Sequence, residues 1–389
     1  MITFLYTGLQ MLRRHWYWAA RAAAAAVLLT SLIPAPPRAS LGDVQRVETE
    51  KPHVCVHTRL TEEVDEWKIR QSLDYVREMG AGTIVEFFPW AYLEPADDVY
   101  NWQIADRIVR HAQNQGVRII ARMGFVPAWA RITEDAAATT FNTLPPEAYP
   151  LFADFLAAFA SRYAGAVDHL IIWNEPNLAF EWGYQTVDPR AYTAMLRTVY
   201  PAIKAANPHS VVLAAALAPT LEPPGSPHGL DDLLYLQAMY EHGAADWFDA
   251  LAIHTYGFIH SAGDAPAAER LNFRRAELLR AIMTEHDDAA APAYITETGW
   301  NDSPRWANAV SPSLRIQHTL AALELAESWE WLEAMCLWVF RYAVPTFSYP
   351  DYFTLVSVDF ERKPIYFAVQ AYARGQARAE DLWLPPPGT

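Results

Sequence analysis

Eight short apolar runs alternate with eight longer amphipathic segments along this chain, and this alternation limits the folds that it can adopt. The runs are rich in β-branched and aromatic residues and lie at 53–58, 82–90, 117–124, 168–176, 211–219, 250–257, 293–300 and 334–340. The amphipathic segments lie at 63–79, 103–115, 146–163, 189–206, 230–242, 268–286, 312–327 and 365–374. Strands that alternate with helices predict a parallel sheet, and near-continuous apolar strands indicate burial on both of its faces.

Eight such units are the number that closes a barrel. We therefore predict an α/β protein with a (β/α)8 TIM-barrel fold, in one domain over residues 52–380. The length of 389 residues allows this, because such barrels commonly run to about 250 residues or more as one unit. A doubly wound open sheet is the alternative. It is disfavoured because no GxGxxG sequence follows an early strand and because eight units exceed its usual count.

The segments on either side of the predicted barrel differ from it in composition. Within residues 1–40, three arginines precede a stretch of apolar residues from Ala22 to Ile33, and prolines and small residues follow. This pattern predicts a secretory signal peptide or an N-terminal anchor, and the stretch is shorter than the roughly 20 residues that span a bilayer. We therefore expect a secreted or extracytoplasmic protein, with a linker at 41–51 and a loose tail at 381–389. A non-native leader is the alternative reading.

The charge and the metal-binding residue types exclude several classes of function. Thirty basic and 45 acidic residues give a net charge of −15, which would repel nucleic acid and anionic membrane surfaces. The 12 histidines and two cysteines show no zinc-type spacing, so we expect neither a metal nor another cofactor. Cys55 and Cys336 lie in the first and last predicted strands, which are neighbours in a closed barrel. These two cysteines could form a disulfide or remain as buried free thiols, and the low number of cysteines in the chain favours free thiols.

Two short motifs carry the chemistry. The sequence WNEPN at 173–177 contains Glu175 at the end of the fourth predicted strand, and TETGW at 296–300 contains Glu297 at the end of the seventh. The C-terminal ends of barrel strands hold the reactive groups of TIM-barrel enzymes. One such glutamate alone could be a rim charge or part of a salt bridge. Two of them provide the pair that glycoside hydrolysis requires, one carboxyl group protonated and the other ionised.

The alternation of side chains along a strand predicts where both glutamates point. A period of two places Ile171, Trp173 and Glu175 on one face, and it places Ile295 and Glu297 on one face of the seventh strand. Both carboxyl groups are therefore expected to point into the mouth of the barrel.

These motifs resemble those of the clan A glycoside hydrolases, which are retaining (β/α)8 enzymes that include the cellulase-like family five and the xylosidase-like family thirty-nine. The resemblance covers nearly everything from Pro52 onward. In that clan an Asn-Glu pair ends strand four and supplies the acid/base, and the glutamate that ends strand seven is the nucleophile. The resemblance implies that Glu175 is the acid/base and Glu297 the nucleophile of a hydrolase acting on a β-linked oligosaccharide or polysaccharide.

The same resemblance implies roles for the neighbouring residues. Asn174 would bind the 2-hydroxyl of the sugar, a contact expected to strengthen in the transition state. His254 and Tyr256 would line the site, with Tyr256 close to Glu297, and Trp338 would form the floor beneath the reacting sugar. Ordinary interior packing is the alternative for His254 and Tyr256.

Several tryptophans are candidate contacts to sugar rings. The segments 87–102 and 125–130 resemble the loops after strands two and three in the clan, which implies that Trp90 and Trp129 lie in the cleft. Three more tryptophans lie in candidate loops and could serve either as sugar platforms or in loop packing; they are Trp182, Trp300 and Trp306.

One position departs from the clan. An arginine on strand two usually lowers the pKa of the nucleophile there, whereas this chain has Glu86 in that strand. Arg122, near the end of strand three, or Arg59, just after strand one, could supply the missing positive charge within about 4 to 6 Å. We favour Arg122.

Two other functions are alternatives. A barrel that binds glycans without cleaving them would explain the departure at Glu86, but it would have no need for two glutamates. A phosphate-handling barrel enzyme would need a glycine-rich loop after strands seven and eight, which is missing, and a more basic charge balance. The identity of the glycan, exo or endo action and the oligomeric state cannot be read from the sequence.

Overall fold

The computed structural model describes residues 41–131 and 139–379, together with Trp16 and Arg21. Its eight strands form a closed barrel in which each strand pairs in parallel with the next and the last pairs with the first. The strands are β1 (Val54–His57), β2 (Thr83–Pro89), β3 (Arg118–Gly124), β4 (His169–Ile172), β5 (Val211–Ala214), β6 (Ala250–Tyr256), β7 (Ala293–Gly299) and β8 (Leu332–Leu337). The predicted TIM barrel is confirmed.

One long helix follows each strand. These helices are α1 (Glu66–Met79), α2 (Gln103–Gln115), α3 (Tyr149–Arg162), α4 (Pro189–Ala206), α5 (Asp232–Glu241), α6 (Arg275–Glu285), α7 (Pro312–Glu327) and α8 (Pro364–Ala373). Shorter helical turns lie at Leu60–Glu62, Trp90–Leu93, Ala128–Ala130, Pro146–Ala148, Ala244–Trp247 and Tyr349–Tyr352. Three of the long helices begin with proline. Proline lacks a backbone N–H, and it suits the first turn because an N–H at that position would have no partner within the helix.

The barrel has two apolar layers, as the near-continuous apolar strands predict. Alternate strand residues fill the interior, among them Val85, Ile120 and Ile171. The intervening residues, such as Ile84 and Leu170, pack outward against the helices in a much larger cluster. Because the interior is filled, only the ends of the strands leave room for a ligand.

A disulfide joins Cys55 on β1 to Cys336 on β8 inside the barrel. The expectation of two free thiols is therefore wrong. The two cysteines are partners in the β1–β8 register, with Cα atoms 4.1 Å apart, because closure of the barrel places the first and last strands side by side. Sequence reasoning identified the neighbouring strands but could not determine the register between them.

The chain before β1 is partly attached to the barrel. The amide of Gln45 donates to the carbonyl of Asn114 at the end of α2, and the amide of Glu50 donates to the carbonyl of Ala373 at the end of α8. The predicted signal or anchor at 1–40 lies outside the described residues except for Trp16 and Arg21, and the predicted tail at 381–389 lies outside them entirely. Among the described residues, no helix has the length and apolar character needed to cross a membrane.

Candidate active site

The loop after β4 places Glu175 in the mouth of the barrel by a sharp change of backbone direction. The strand ends at Ile172, and both Trp173 (φ 82°) and Glu175 (φ 42°) have left-handed backbone conformations. Trp173 therefore packs outward, 6.1 Å from the ring of Phe152 on α3, while Ile171 faces the interior. The prediction that Ile171, Trp173 and Glu175 share one face is wrong, because strand alternation stops before the motif.

The end of β7 is irregular as well. Ile253 pairs with Ile295, but the next residue, His254, pairs with Glu297, so Thr296 is an extra residue in β7. Such a bulge reverses the side to which the following residues point. Ile295 packs among the outer residues, whereas Glu297 contacts side chains in the barrel mouth. The prediction that these two share a face is therefore also wrong, although both glutamates do reach the mouth.

The two glutamates meet across His254. Its Nδ1 lies 2.8 Å from Oε1 of Glu175, and its Nε2 lies 3.7 Å from Oε1 of Glu297. One carboxyl oxygen of each glutamate and a nitrogen of His254 all lie within 4.8 Å of one another. The hydroxyl of Tyr256 donates to Oε2 of Glu297 at 2.9 Å. The structure thus brings together four side chains that the sequence places on three different strands or their loops.

The surroundings of the two carboxyl groups differ. Burial raises the pKa of Glu175 to about 7, and the charge of Arg122 opposes this shift. Burial also raises the pKa of Glu297, but here both Arg122 and the hydrogen bond from Tyr256 favour the ionised form. Burial lowers the pKa of His254 to about 4, so this imidazole is neutral near pH 7. Of the two glutamates, Glu297 has more groups that stabilise its carboxylate.

Arg122 is the cation that acts on this pair. Its guanidinium lies 4.1 Å from the ring centroid of Phe87 and lines a cavity of about 250 Å³, and its Nε has no hydrogen-bond partner among the described residues. Burial lowers the pKa of Arg122, and Glu297 is the carboxylate that opposes this most. Arg59 lines the same cavity but is already paired with Glu62. The effect of Arg122 on the pKa of both glutamates and the pairing of Arg59 with Glu62 therefore favour Arg122 over Arg59 as the replacement for the strand-two arginine.

Glu86, the residue that departs from the clan, holds a loop. Its Oε2 accepts hydrogen bonds from the hydroxyl of Thr58 (2.5 Å) and the amide of Leu60 (2.9 Å). Its Oε1 accepts from the amide (2.9 Å) and hydroxyl (2.7 Å) of Thr61. All four donors belong to the segment after β1 that carries Arg59. The buried carboxyl group therefore fixes this segment beside the site.

Two of the predicted cleft tryptophans lie in the core instead. Trp90 is fully buried, stacks on Phe155 at 5.6 Å and donates its indole N–H to Glu94. Trp300 is 1% exposed and donates its indole N–H to the carbonyl of His260. The cleft prediction for Trp90 is therefore wrong, and for Trp300 the structure favours packing over sugar contact, because a tryptophan at a strand end can turn toward the helix layer as well as toward the cleft. Trp182 is buried too, against Trp173.

The other predicted contacts have partly open positions. Trp338, directly after β8, is partly exposed, and its ring meets His57 edge to face at 4.5 Å. Trp129 is partly exposed and donates its indole N–H to the carbonyl of Glu94. Asn174 donates its side-chain amide to Glu181, while its Oδ1 is buried without a partner among the described residues. That oxygen is an unsatisfied hydrogen-bond acceptor next to Glu175.

Sequence reasoning missed two residues of the site. Nε2 of His57 lies 3.6 Å from Oε1 of Glu297, at the end of β1. Glu181 accepts from the side-chain amides of both Asn174 (3.0 Å) and Asn142 (3.0 Å). Burial is the main cause that raises the pKa of Glu181 to about 7, and the negative charge of Glu175 adds to this shift. The position of Glu181 in the loop that begins with WNEPN was the available signal, but nothing in the local pattern shows that this loop folds back.

Among the described residues, two groups of side chains have the spacing of metal ligands: one is Glu94, Asp97 and Asp98, and the other includes the acidic pair. The three close atoms of Glu175, His254 and Glu297 are of the types that ligate metal ions. The positive charge of Arg122 acts on both glutamates and would oppose a second cation between them.

Comparison with known proteins relates the chain to glycoside hydrolases. Residues 60–133 match a family model for glycoside hydrolase family 42, described as beta-galactosidase. No match was found among curated proteins. Among solved structures, a family 39 glycoside hydrolase from the gut symbiont Bacteroides cellulosilyticus WH2 has a TM-score of 0.65 and 20% sequence identity. That similarity covers 86% of this chain and 65% of the other, so this chain spans less than two thirds of that enzyme's length.

Two further structures are similar over most of their length. A family 39 beta-xylosidase from Caulobacter crescentus has a TM-score of 0.61 and 19% identity, over 85% of this chain and 73% of that one. A family 5, subfamily 18 structure from Streptomyces cattleya, in complex with GlcNAc, has a TM-score of 0.60 and 16% identity, over 84% and 81%. At such identities the similarity shows the fold alone. The predicted resemblance to the clan A glycoside hydrolases is thus confirmed, because the chain shares its closed parallel barrel with families 39 and 5 and matches the family 42 model in part.

Proposed function

We propose that this protein is a retaining glycoside hydrolase that cleaves O-glycosidic bonds of a β-linked oligosaccharide or polysaccharide. The observation that supports this most is the approach of Glu175 and Glu297, each with a carboxyl oxygen within 4.8 Å of the other across the barrel mouth. Retaining enzymes hold their two carboxyl groups about 5 to 5.5 Å apart, whereas inverting enzymes need roughly 6.5 to 9.5 Å to admit a water between them.

The reaction would proceed by double displacement. Glu297 attacks the anomeric carbon while Glu175 gives its proton to the departing oxygen, so the glycosidic bond breaks as the glycosyl-enzyme bond forms. Glu175 then takes a proton from water, which attacks the same carbon and releases Glu297. A pKa of about 7 suits Glu175 to both roles near neutral pH. The hydrogen bond from Tyr256 supports Glu297 as the ionised nucleophile.

The substrate would be oriented by the groups around this pair. The Oδ1 of Asn174 has no hydrogen-bond partner among the described residues and would accept one from a sugar hydroxyl, which fits the 2-hydroxyl role implied by the clan. The partly exposed ring of Trp338 next to His57 would carry one face of the reacting sugar. His254, neutral near pH 7, would keep both carboxyl groups in place without adding charge.

Turnover of chromogenic β-glycosides tests this function. We expect activity on at least one member of a panel of aryl β-glucosides, xylosides, galactosides and mannosides, and no detectable activity for Glu297→Gln. The first anomer released should be β, as followed by proton NMR. Release of the α anomer would contradict retention, and activity that survives in Glu297→Gln would contradict the assignment of the nucleophile.

The rival function, glycan binding without cleavage, loses its main argument. It rested on the missing strand-two arginine, yet Arg122 lines the same cavity as Glu86 and its charge acts on both glutamates. Glu86 is engaged with the segment after β1 through four hydrogen bonds. Binding of glycans with no turnover by any member of the panel would restore that alternative.

We also propose that the protein acts outside the cytoplasm. The disulfide between Cys55 and Cys336 supports this, because disulfides persist mainly in oxidising compartments. The test is to express the full chain in a bacterial host and to locate it by cell fractionation, with the N-terminus of the product sequenced. Retention of the full-length chain in the cytoplasm with reduced cysteines would contradict the proposal.

A further inference from the structure

A second depression lies on the same end of the barrel as the two glutamates. It has a volume of about 670 Å³ and runs between the loop after β7 and the loop after β8. We call it the β7–β8 groove; its lining includes Trp306, Phe347, Tyr349, Tyr352, Asp351 and Lys363. The ring of Trp306 stacks on that of Tyr349, with centroids 4.7 Å apart and planes 21° apart. None of these residues takes part in the proposed reaction.

The groove is connected to the catalytic residues by ring contacts. The ring of Trp306 lies 6.0 Å from that of Phe353, which lies 5.6 Å from that of Tyr256. Tyr256 in turn donates its hydroxyl to Glu297. A chain that leaves the glutamate pair toward the β8 loop would therefore reach the groove within a few sugar units.

Aromatic rings of the groove are exposed, and the backbone turn that carries one of them is held by hydrogen bonds. Phe347 is 91% exposed, and Tyr349 is 47% exposed. The carboxylate of Asp351 accepts hydrogen bonds from the amides of Thr346 and Phe347, which fixes the turn that presents the Phe347 ring. A flat apolar ring on a fixed turn costs little additional conformational entropy when it packs against a ligand.

The polar groups of the groove match a sugar better than an apolar peptide. Lys363 donates to the carbonyl of Asp351 and to the hydroxyl of Thr354, and burial lowers its pKa to about 8. The carboxylate of Asp351 and the hydroxyl of Ser348 also lie at the groove. Aromatic faces that alternate with hydrogen-bonding groups suit a pyranose, which has apolar C–H faces and a rim of hydroxyls.

We propose that the β7–β8 groove is a binding site for distal sugar units of the same neutral β-linked chain that is cleaved between Glu175 and Glu297. The proposal rests on the proposed function for the identity of the ligand. It adds that the protein prefers oligosaccharides and polysaccharides to short glycosides, because a short glycoside cannot reach Phe347.

Direct binding tests the groove separately from catalysis. The protein carrying Glu297→Gln is titrated by calorimetry with cellohexaose, xylohexaose and mannohexaose, and with the disaccharide of each series. For the hexasaccharide that binds, we expect Phe347→Ala to weaken binding by about tenfold, and Trp306→Ala by at least as much, while disaccharide binding is unchanged. Trp67→Ala, which removes an exposed ring from α1, is the control and should change neither.

The outcomes separate this inference from the proposed function. Equal hexasaccharide affinity in the parent, Phe347→Ala and Trp306→Ala proteins would overturn the inference, as would failure of all three hexasaccharides to bind. Loss of affinity in both groove variants supports it, even if the wild-type protein turns over no glycoside, in which case only the hydrolase assignment fails. If turnover is found, its kcat/KM should rise with chain length in the wild type and much less in Phe347→Ala.

Discussion

At the scale of single residues, the site depends on different surroundings for two glutamate side chains. Glu175 and Glu297 are both buried, and burial raises the pKa of each. Of the two, only Glu297 accepts a hydrogen bond from the hydroxyl of Tyr256, whereas Glu175 contacts the neutral imidazole of His254. The proton is therefore expected to stay on Glu175 while Glu297 is ionised, which is the division of roles that double displacement needs.

The pH dependence of kcat/KM follows from this division. In the proposed mechanism Glu175 must be protonated for the first step, so activity should fall as the pH rises through about 7, by about tenfold per pH unit. Activity should fall on the acid side as Glu297 becomes protonated. The profile is measured with an aryl glycoside whose phenol is a poor leaving group. Glu175→Gln should lose most of its activity on that substrate but keep much more on a dinitrophenyl glycoside, whose leaving group needs no protonation. An equal loss on both substrates would assign the acid role to another residue.

Glu181 offers a second test of the local electrostatics. Its carboxyl group and that of Glu175 repel each other when both are ionised, so the negative charge of Glu181 favours the protonated acid/base. Glu181→Gln keeps an acceptor for the amide of Asn174 but removes the charge. We expect the basic limb of kcat/KM to move to lower pH by about half a unit to one unit. Glu222→Gln, a charge change in the loop after β5, is the control, and an equal shift there would indicate a general charge effect.

At the scale of secondary structure elements, the sequence predicts regular segments well and their last residues poorly. All eight strands and eight long helices overlap the predicted segments, but β4 and β5 end four and five residues earlier than predicted and α6 begins seven residues later. The errors in side-chain direction concern the ends of β4 and β7, where left-handed backbone at Trp173 and the extra residue Thr296 break the alternation. Periodicity reports only which side of a regular element is buried. Periodicity does not predict the bend or the bulge that turns each glutamate into the mouth of the barrel.

The motifs and their strand numbers identified the acidic pair although the alternation argument failed. Identification needs only that both glutamates lie at or directly after the C-terminal ends of strands, because the C-terminal ends of all strands in a parallel barrel lie on one side. The direction of a single large side chain depends on its packing partners, and these come from distant segments of the sequence. Trp90 and Trp300 were misplaced for this reason, and the contacts of Glu181 with Asn142 could not be foreseen.

The segment after β1 gives a prediction at this scale. Each oxygen of Glu86 accepts from a backbone amide and a hydroxyl, so Glu86→Gln would turn an NH2 group toward two donors. We expect a loss of about 2 to 4 kcal/mol in the free energy of unfolding and faster proteolysis between β1 and α1. Glu62→Gln, which removes only the partly exposed partner of Arg59, should cost less than about 1 kcal/mol. Similar urea midpoints for the two variants would contradict the anchoring role.

At the scale of the whole molecule, one covalent bond closes the barrel. The disulfide between Cys55 and Cys336 spans 281 residues and joins the first strand to the last. Such a link lowers the conformational entropy of the unfolded chain, and for long loops this stabilises the folded protein by about 3 to 5 kcal/mol. The same bond lies in the barrel interior, below the glutamates, so its loss should change stability far more than the chemistry.

We therefore expect Cys55→Ala combined with Cys336→Ala to lower the free energy of unfolding by about 3 to 5 kcal/mol, measured in urea, while kcat of the folded enzyme at low temperature changes less than about threefold. The wild-type protein unfolded in the presence of dithiothreitol should approach the stability of the double variant, and the double variant itself should not respond to dithiothreitol. These two controls separate the covalent link from the small cavity that the alanines leave. A double variant as stable as the oxidised wild type would mean that closure of the barrel depends on strand pairing and packing alone.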